Sequence, residues 1–389
     1  MSPLCESYVT PERLDSMEAF YPLHVRVCER CLLVQLPEYV APEEIFTEYA
    51  YFSAYSDSWV QHAKDYAEAM ISRYGLGRDH RVVELASNDG YLLQHFVRRG
   101  IPVLGVEPAR NVAKAAEQRG VPSISVFFGA QAARDIVAST GHADLVPANN
   151  VLAHVPDIND FVAGIAILLA PGGVSTLEFP HIMRLIEGNQ FDTIYHEHYS
   201  YLSLYSVEQI LAAHDLHVVD VEELSTHGGS LRVYARHTDD DSEPVSRRVD
   251  ALRALERERG LDRLEGYDGF GPCVEELKRD LLEFLIGARR AGKHVAGYGA
   301  PGKGNTLLNY CGIRTDLLDY TVDRNPYKQG QALPGTHIPI HPPERLAETR
   351  PDYVLLLPWN LRDEIAAQLS YARDWGARFV VPIPAVEVF

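Results

Sequence analysis

Positive charge is in short supply in this chain. Its 389 residues carry 36 Lys and Arg against 54 Asp and Glu, a formal net charge of -18. Such a surface does not draw in nucleic acid or an anionic membrane, because both are held by basic patches. Small anionic ligands are still allowed, since a pocket needs only local positive charge. Cysteine is also rare. The five present are too few and too unevenly placed for a disulfide framework, which points to a reducing, cytoplasmic setting. No apolar run approaches the ~20 residues that cross a bilayer, and the opening MSPLCESYVTPERLDS has no apolar signal core. What remains, 46% apolar and 23% charged residues, describes a folded globular chain long enough for two or three domains. Nothing in it requires more than a monomer.

The texture changes twice along the chain. Residues 1–75 are rich in Tyr, Pro and Glu, with one Cys-x-x-Cys, the aromatic cluster EYAYFSAYSDSW and an amphipathic run from Trp59 to Tyr74 at helical spacing. Residues 76–240 alternate short β-rich runs (RVVELAS, PVLGVEP, ADLVPANNV, GGVSTLEFP) with helical ones, the pattern of a parallel sheet covered by helices. An acidic break, HTDDDSEP, is followed by a charged helix, Val245 to Gly260, that reads as a connector. Within residues 241–389 a second, smaller alternating unit begins at Lys293. The expected architecture is α/β, with two doubly wound units behind a small N-terminal region.

The first strand of the central unit runs into Ser87-Asn88-Asp89-Gly90. In an open α/β sheet this strand-to-helix turn cradles a nucleotide-like ligand. It lacks the three glycines of G-x-G-x-x-G, so a dinucleotide pyrophosphate fits poorly and a nicotinamide dehydrogenase is the weaker reading. S-adenosylmethionine has no phosphate and can use a turn with one small residue, Ala86, one glycine, Gly90, and polar groups such as Asn88. Glu107 lies about 20 residues on, the spacing of the acidic side chain that accepts ribose hydroxyls. Asn149 and His154 follow a later strand and would stand over the reactive end of the cofactor. The central unit therefore reads as a Rossmann-type methyltransferase domain.

The least ordinary string is FDTIYHEHYSYLSLYS. Tyr195, His196, Glu197, His198 and Tyr199 are five consecutive polar residues. As an extended segment they would split the two imidazoles from the phenols and the carboxylate, and as a turn they would converge. They offer a base near neutral pH, a carboxylate to fix its tautomer and a phenol for a developing oxyanion. A His-x-His metal pair and a solvated polar loop are the other two readings of the same residues.

Taken in order, FYPLHVRVCERCLLVQLPE, EYAYFSAYSDSW, ELASNDGYLL, NNVLAHVPD, LEFPH, FDTIYHEHYSYLSL, THGGSLRVYA and GYGAPGKGNTLLNY resemble the bacterial sugar C-methyltransferases of antibiotic biosynthesis. Those enzymes act on thymidine-diphosphate-linked keto-deoxysugars. The resemblance implies three parts: an N-terminal zinc-binding module, a central S-adenosylmethionine domain and a C-terminal Rossmann-like nucleotide-sugar domain. It implies carbon methylation, at C3 or C5, of a 4-keto sugar through an enolate. An O- or N-methyltransferase on a nucleotide sugar, or a non-catalytic nucleotide-sugar binding protein, are the alternatives. Carried over by motif, His198 would be the base, with Tyr195, Glu197 and His154 beside it. Tyr195 or His154 would steady the enolate oxygen, and Tyr51 would help close the pocket. In GYGAPGKGN, the residues Gly302, Lys303 and Asn305 would meet the diphosphate or nucleotide.

The chain departs from that family at its zinc module, which uses two Cys-x-x-Cys pairs. Here only Cys28 and Cys31 form a pair, with His24 a weak third candidate. Structural zinc needs four ligands, so the site is incomplete and bound zinc is not expected. The expectation drawn from this is a natural start upstream of Met1, carrying the first pair.

Overall fold

The computed structural model describes residues 1–46, 53–55 and 57–389. They form two compact units, each assembled from separate stretches of chain. One comprises Val27–His181 and Glu197–Arg263; the other comprises Met1–Arg26, Ile182–His196 and Leu264–Phe389.

In the first unit, helix α1 (Asp57–Tyr74) buries Ala63, Tyr66, Ala67 and Met70 along one helical stripe. Then follow β1 (Val82–Leu85), α2 (Leu93–Val97), β2 (Val103–Val106), α3 (Arg110–Gln118), β3 (Ser123–Ile124), α4 (Ala130–Thr140), β4 (Ala143–Asn149), α5 (Ile158–Leu168) and β5 (Leu169–Pro180). After the chain returns from the other unit come α6 (Leu204–Ala212), β6 (Leu216–Leu224), β7 (Ser230–His237) and α7 (Arg247–Glu258). All four residues of β1 are buried, as a central strand covered on both faces requires.

The sheet order is β3-β2-β1-β4-β5-β7-β6. Neighbours among β1 to β5 pair in parallel, and β7 runs antiparallel to both β5 and β6. The order reverses between β1 and β4, so a crevice opens at the carboxyl ends of those strands. The charged helix α7 is more than the expected connector. It buries Val249 and Leu252, and its Glu256, 2% exposed, accepts hydrogen bonds from the backbone N–H groups of Leu204 and Tyr205 at 2.7 and 2.9 Å. His181 Nε2 lies 2.6 Å from the same carboxylate.

The second unit contains α8 (Phe270–Arg290), β8 (Val295–Tyr298), α9 (Gly302–Cys311), β9 (Thr321–Val322), β10 (Ile340–His341), β11 (Tyr353–Leu356), β12 (Arg378–Val381) and β13 (Glu387–Val388). Its sheet order, β10-β9-β8-β11-β12-β13, is that of a doubly wound fold whose last strand is antiparallel. Val295, Leu307, Val322, Leu355 and Phe379 lie in one apolar core. The N-terminal arm belongs to this unit. Val9 pairs with Ala332, and the Tyr8 hydroxyl donates to the Ala300 carbonyl at 2.6 Å. No helix among the described residues is long and apolar enough to cross a membrane.

Candidate methyltransferase site

The turn after β1 has an unusual backbone. Ala86, Asn88 and Gly90 take positive φ values of 54, 49 and 76°. At Gly90 a Cβ would stand 2.9 Å from Val121 Cγ2, so the position admits only glycine. Glu107, directly after β2, holds this turn from the side. Its two carboxylate oxygens accept the N–H groups of Asn88 at 3.0 Å and Ala109 at 2.9 Å.

Three carboxyls gather here. Glu84 on β1 is 1% exposed, neither of its oxygens has a protein partner, and burial and the charge of Glu107 push its pKa well up. Burial also raises Glu107, against the pull of its two N–H donors. Asp89 pairs with Arg119 at 2.6 Å. A positive charge placed beside these carboxyls would favour their ionised forms, whereas a pyrophosphate would disfavour them. S-adenosylmethionine carries a sulfonium and an ammonium. Asn149 Oδ1 and both side-chain polar atoms of Asn150 are buried without a partner in the protein, which leaves acceptors and a donor for a bound group. The residues present therefore fit this cofactor, with Ala86, Asn88, Gly90, Glu107 and Asn149 on one edge of the sheet.

His154 closes a short 3-10 turn after β4, and its ring meets that of His198 edge-on at 4.6 Å. Burial pushes His154 down to about 4, so it is neutral at physiological pH; a ring N–H bond to the Glu197 carbonyl opposes that shift. The Tyr201 ring stands edge-on to that of His198 at 6.0 Å. His196 behaves differently. It belongs to the other unit, where Nε2 lies 3.1 Å from the Pro22 carbonyl and the ring packs on Tyr21. Residues 196–197 form a turn, so the string is not an extended strand, and Tyr195 lies with His196 in the second unit. Tyr51 lies outside the described residues.

A polar cluster that sequence reasoning passed over stands on the same sheet edge. Glu178 of β5, fully buried, accepts from Arg232 of β7 at 2.7 Å and from Thr226 Oγ1 at 3.2 Å, and both its oxygens lie 3.2 Å from His62 Nε2 of α1. Burial alone would raise this carboxyl, but the His62 hydrogen bond and the charge of Arg232 outweigh it and hold it at about 2. Arg232 sits directly across from Glu178 on β5 and from Glu222 on β6, with its guanidinium 4.7 Å over the Tyr66 ring. LEFPH contains Glu178 and THGGSLRVYA contains Thr226 and Arg232, while His62 lies far upstream. Strand pairing brings Arg232 to Glu178, and α1 adds His62.

In the second unit, Gly302, Lys303 and Asn305 open α9. Lys303 Nζ bonds Asn360 Oδ1 and lies 4.3 Å over the Trp359 ring; burial lowers it to about 8, opposed by the charge of Asp192. Asp192 is fully buried and raised to about 6 by that burial, while Trp359 Nε1 donates to it at 2.7 Å. The open face of Gly302 is covered by Cys5 and Glu6.

Cys28 and Cys31 sit in one tight knuckle. Backbone N–H groups of Cys31 and Arg30 and the Cys31 thiol stabilise the Cys28 thiolate and lower its pKa. That is half of a zinc site. No group of three or more His, Cys, Asp or Glu able to hold a metal exists among the described residues.

The sheet order, the reversed β7 and the carboxyl-rich turn define a Rossmann-type methyltransferase. Comparison with known proteins sharpens that class. A "Methyltransferase domain" model matches residues 59–221, a "C-methyltransferase C-terminal domain" model residues 225–384 and a "Putative zinc binding domain" model residues 1–46. C-methyltransferase NovU of Streptomyces niveus is 39% identical over 387 residues, covering 100% of this chain and 92% of NovU. A ubiquinone biosynthesis O-methyltransferase of Xanthomonas oryzae pv. oryzae is 32% identical over 111 residues, 28% of this chain and 45% of that protein. Its counterpart in Methylobacterium sp. is 36% identical over 97 residues, 24% and 38% respectively. The chain belongs to the C-methyltransferase family that includes NovU.

Proposed function

We propose that the protein methylates a ring carbon, C3 or C5, of a thymidine-diphosphate-linked 4-keto-deoxysugar, using S-adenosylmethionine. The observation that carries this reading is the imidazole pair of half-buried His154 and buried His198, 4.6 Å apart at the carboxyl edge of the methyltransferase sheet. The full-length likeness to a C-methyltransferase supports carbon as the acceptor.

A sugar C–H is acidic enough to lose its proton only beside a carbonyl, so the chemistry needs a base. His198 fills that role. His154 stays neutral, so its charge does not oppose protonation of the neighbouring ring, and its packing fixes the plane of that ring. Ala86, Asn88, Gly90, Glu107 and Asn149 would hold the cofactor, and Glu107 also keeps the turn in shape through Asn88 and Ala109. When bound, S-adenosylmethionine supplies an electrophilic methyl group for the nucleophilic carbon. Lys303 offers a cation of the second unit to a diphosphate, and in this reading the nucleotide is held there.

The test is exchange of sugar hydrogens with deuterium, followed by transfer of a labelled methyl group. Exchange at a carbon beside the ketone, abolished in His198→Asn, establishes carbon as the nucleophile. Methyl transfer to oxygen or nitrogen without such exchange removes the reading.

A further inference from the structure

The turn Thr226–Gly229 has no part in the chemistry above, yet its conformation is costly. His227 holds φ 53° and ψ 22°, a left-handed conformation that non-glycine residues seldom adopt, and Gly228 and Gly229 extend the run at φ 88 and 121°. Backbone of this kind persists only where its surroundings enforce it, and it gathers at functional sites. Ser230 Oγ and the Gly229 N–H both donate to the Thr226 carbonyl, the His181 N–H donates to that of Gly229, and Glu178 ties the turn to the sheet. Its buried carboxylate takes the Thr226 hydroxyl while His62 and Arg232 fix it from α1 and β7. The His227 ring is left exposed, edge-on to Trp59 at 5.1 Å. Trp59 also stacks on Tyr91, the residue after Gly90, at 6.2 Å. His227 therefore stands on the sheet edge that carries the cofactor turn. It is also close enough to His154 for its charge to oppose protonation there.

The enolate needs a hydrogen-bond donor at its oxygen, and His154 is poorly placed to be one. A neutral imidazole has a single N–H, and that of His154 goes to the Glu197 carbonyl.

We infer that His227 is a third imidazole of the methyl-transfer site, an N–H donor to the substrate carbonyl oxygen, and that Glu178 is the positioning residue holding its turn. The inference rests on the enolate reading above. In the step itself the C–H proton passes to His198, the C–H electron pair becomes the C=C bond of the enolate, and the carbonyl oxygen takes the negative charge facing His227.

Deuterium exchange into thymidine-diphosphate-4-keto-6-deoxyglucose in D2O, without S-adenosylmethionine, isolates that step. Loss of one oxyanion donor slows such steps by about 100-fold or more, and His227→Gly should show a loss of that size. Its thermal midpoint should not fall, because glycine suits the backbone, and calorimetric binding of S-adenosylmethionine should be unchanged. His227→Asn keeps an N–H and tolerates the left-handed conformation, and should recover part of the rate. Glu178→Gln should slow exchange when made alone and add nothing to His227→Gly, the non-additivity of residues acting through one another. Should Glu178→Gln fail to fold, the two His227 variants decide the matter. Wild-type exchange with His227→Gly unaffected overturns the inference alone, as does a Glu178→Gln loss that multiplies with it. A wild-type protein that exchanges no sugar hydrogen overturns both the enolate reading and the inference.

Discussion

Replacing Arg232 with Met should destabilise the methyltransferase unit by about 3–5 kcal/mol, the cost of stranding one partner of a buried pair. The structure gives two routes to that figure. Glu178 is 0% exposed and Arg232 5%, so the pair is screened little by water. Separately, Glu178 is held at about 2 against an ordinary 4.5, a depression that corresponds to roughly 3 kcal/mol of native-state preference for the carboxylate. Burial works against that preference. It therefore comes from His62 and Arg232 together, and losing the arginine removes its larger charge. The sign follows from linkage. A depressed carboxyl stabilises the fold in full above the unfolded pKa of about 4.5 and ceases to do so as pH falls toward about 2. Urea unfolding of wild type and Arg232→Met at pH 7 and at pH 4 should show the gap narrowing at the lower pH. The double variant Glu178→Gln/Arg232→Met, with no stranded charge, should regain much of the loss. An Arg232→Met protein within about 1 kcal/mol of wild type at pH 7, the worth of a surface pair, would refute the reasoning.

Three further outcomes are expected. His198→Asn should lower methyl transfer by at least the 10²–10⁴-fold that a positioned base contributes (roughly), with S-adenosylmethionine affinity unchanged by calorimetry; retained turnover removes His198 from the base role. Gly90→Ala must place a methyl 2.9 Å from Val121 Cγ2 at φ 76°. It should cost about 2 kcal/mol or more in denaturant unfolding, together with cofactor affinity. Lys303→Met should raise KM for the nucleotide sugar while leaving S-adenosylmethionine binding intact; an unchanged KM would place the diphosphate elsewhere.

Much of the fold was legible because a buried parallel strand announces itself. VVEL, VLGV and ADLVPAN all fall within predicted runs, and the parallel part of the first unit's sheet follows from them. Less legible was what depends on chain return. The string from Tyr195 to Tyr199 reads as one cluster, yet the boundary between the two units falls after His196, which is tied to Pro22 while His198 meets His154. Adjacent positions in sequence do not say which core each side chain joins. Glu178, Arg232 and His62 were invisible for a related reason. Their partnership depends on β5 and β7 pairing across about 50 residues, and on a helix far upstream.

The glycines are the more instructive signal, because they mean different things at the two turns. Gly90 is required by its own φ and by Val121, and Gly302 by the closeness of Cys5 and Glu6. Each is accounted for by the protein itself, so neither glycine is evidence of a ligand. The distinction lies in what each turn leaves unsatisfied. At the first, Asn149 and Asn150 are only half-buried and hold polar atoms with no partner, beside carboxyls that suit a cation. At the second, the unpartnered atom is Asn305 Nδ2, on a side chain 1% exposed, and Glu6 places a negative charge against the loop. A diphosphate at Gly302 would have to displace Glu6 or lie beyond it, toward Lys303. The case for S-adenosylmethionine therefore stands on orphaned amides and charge, and the case for the nucleotide stands on Lys303 alone.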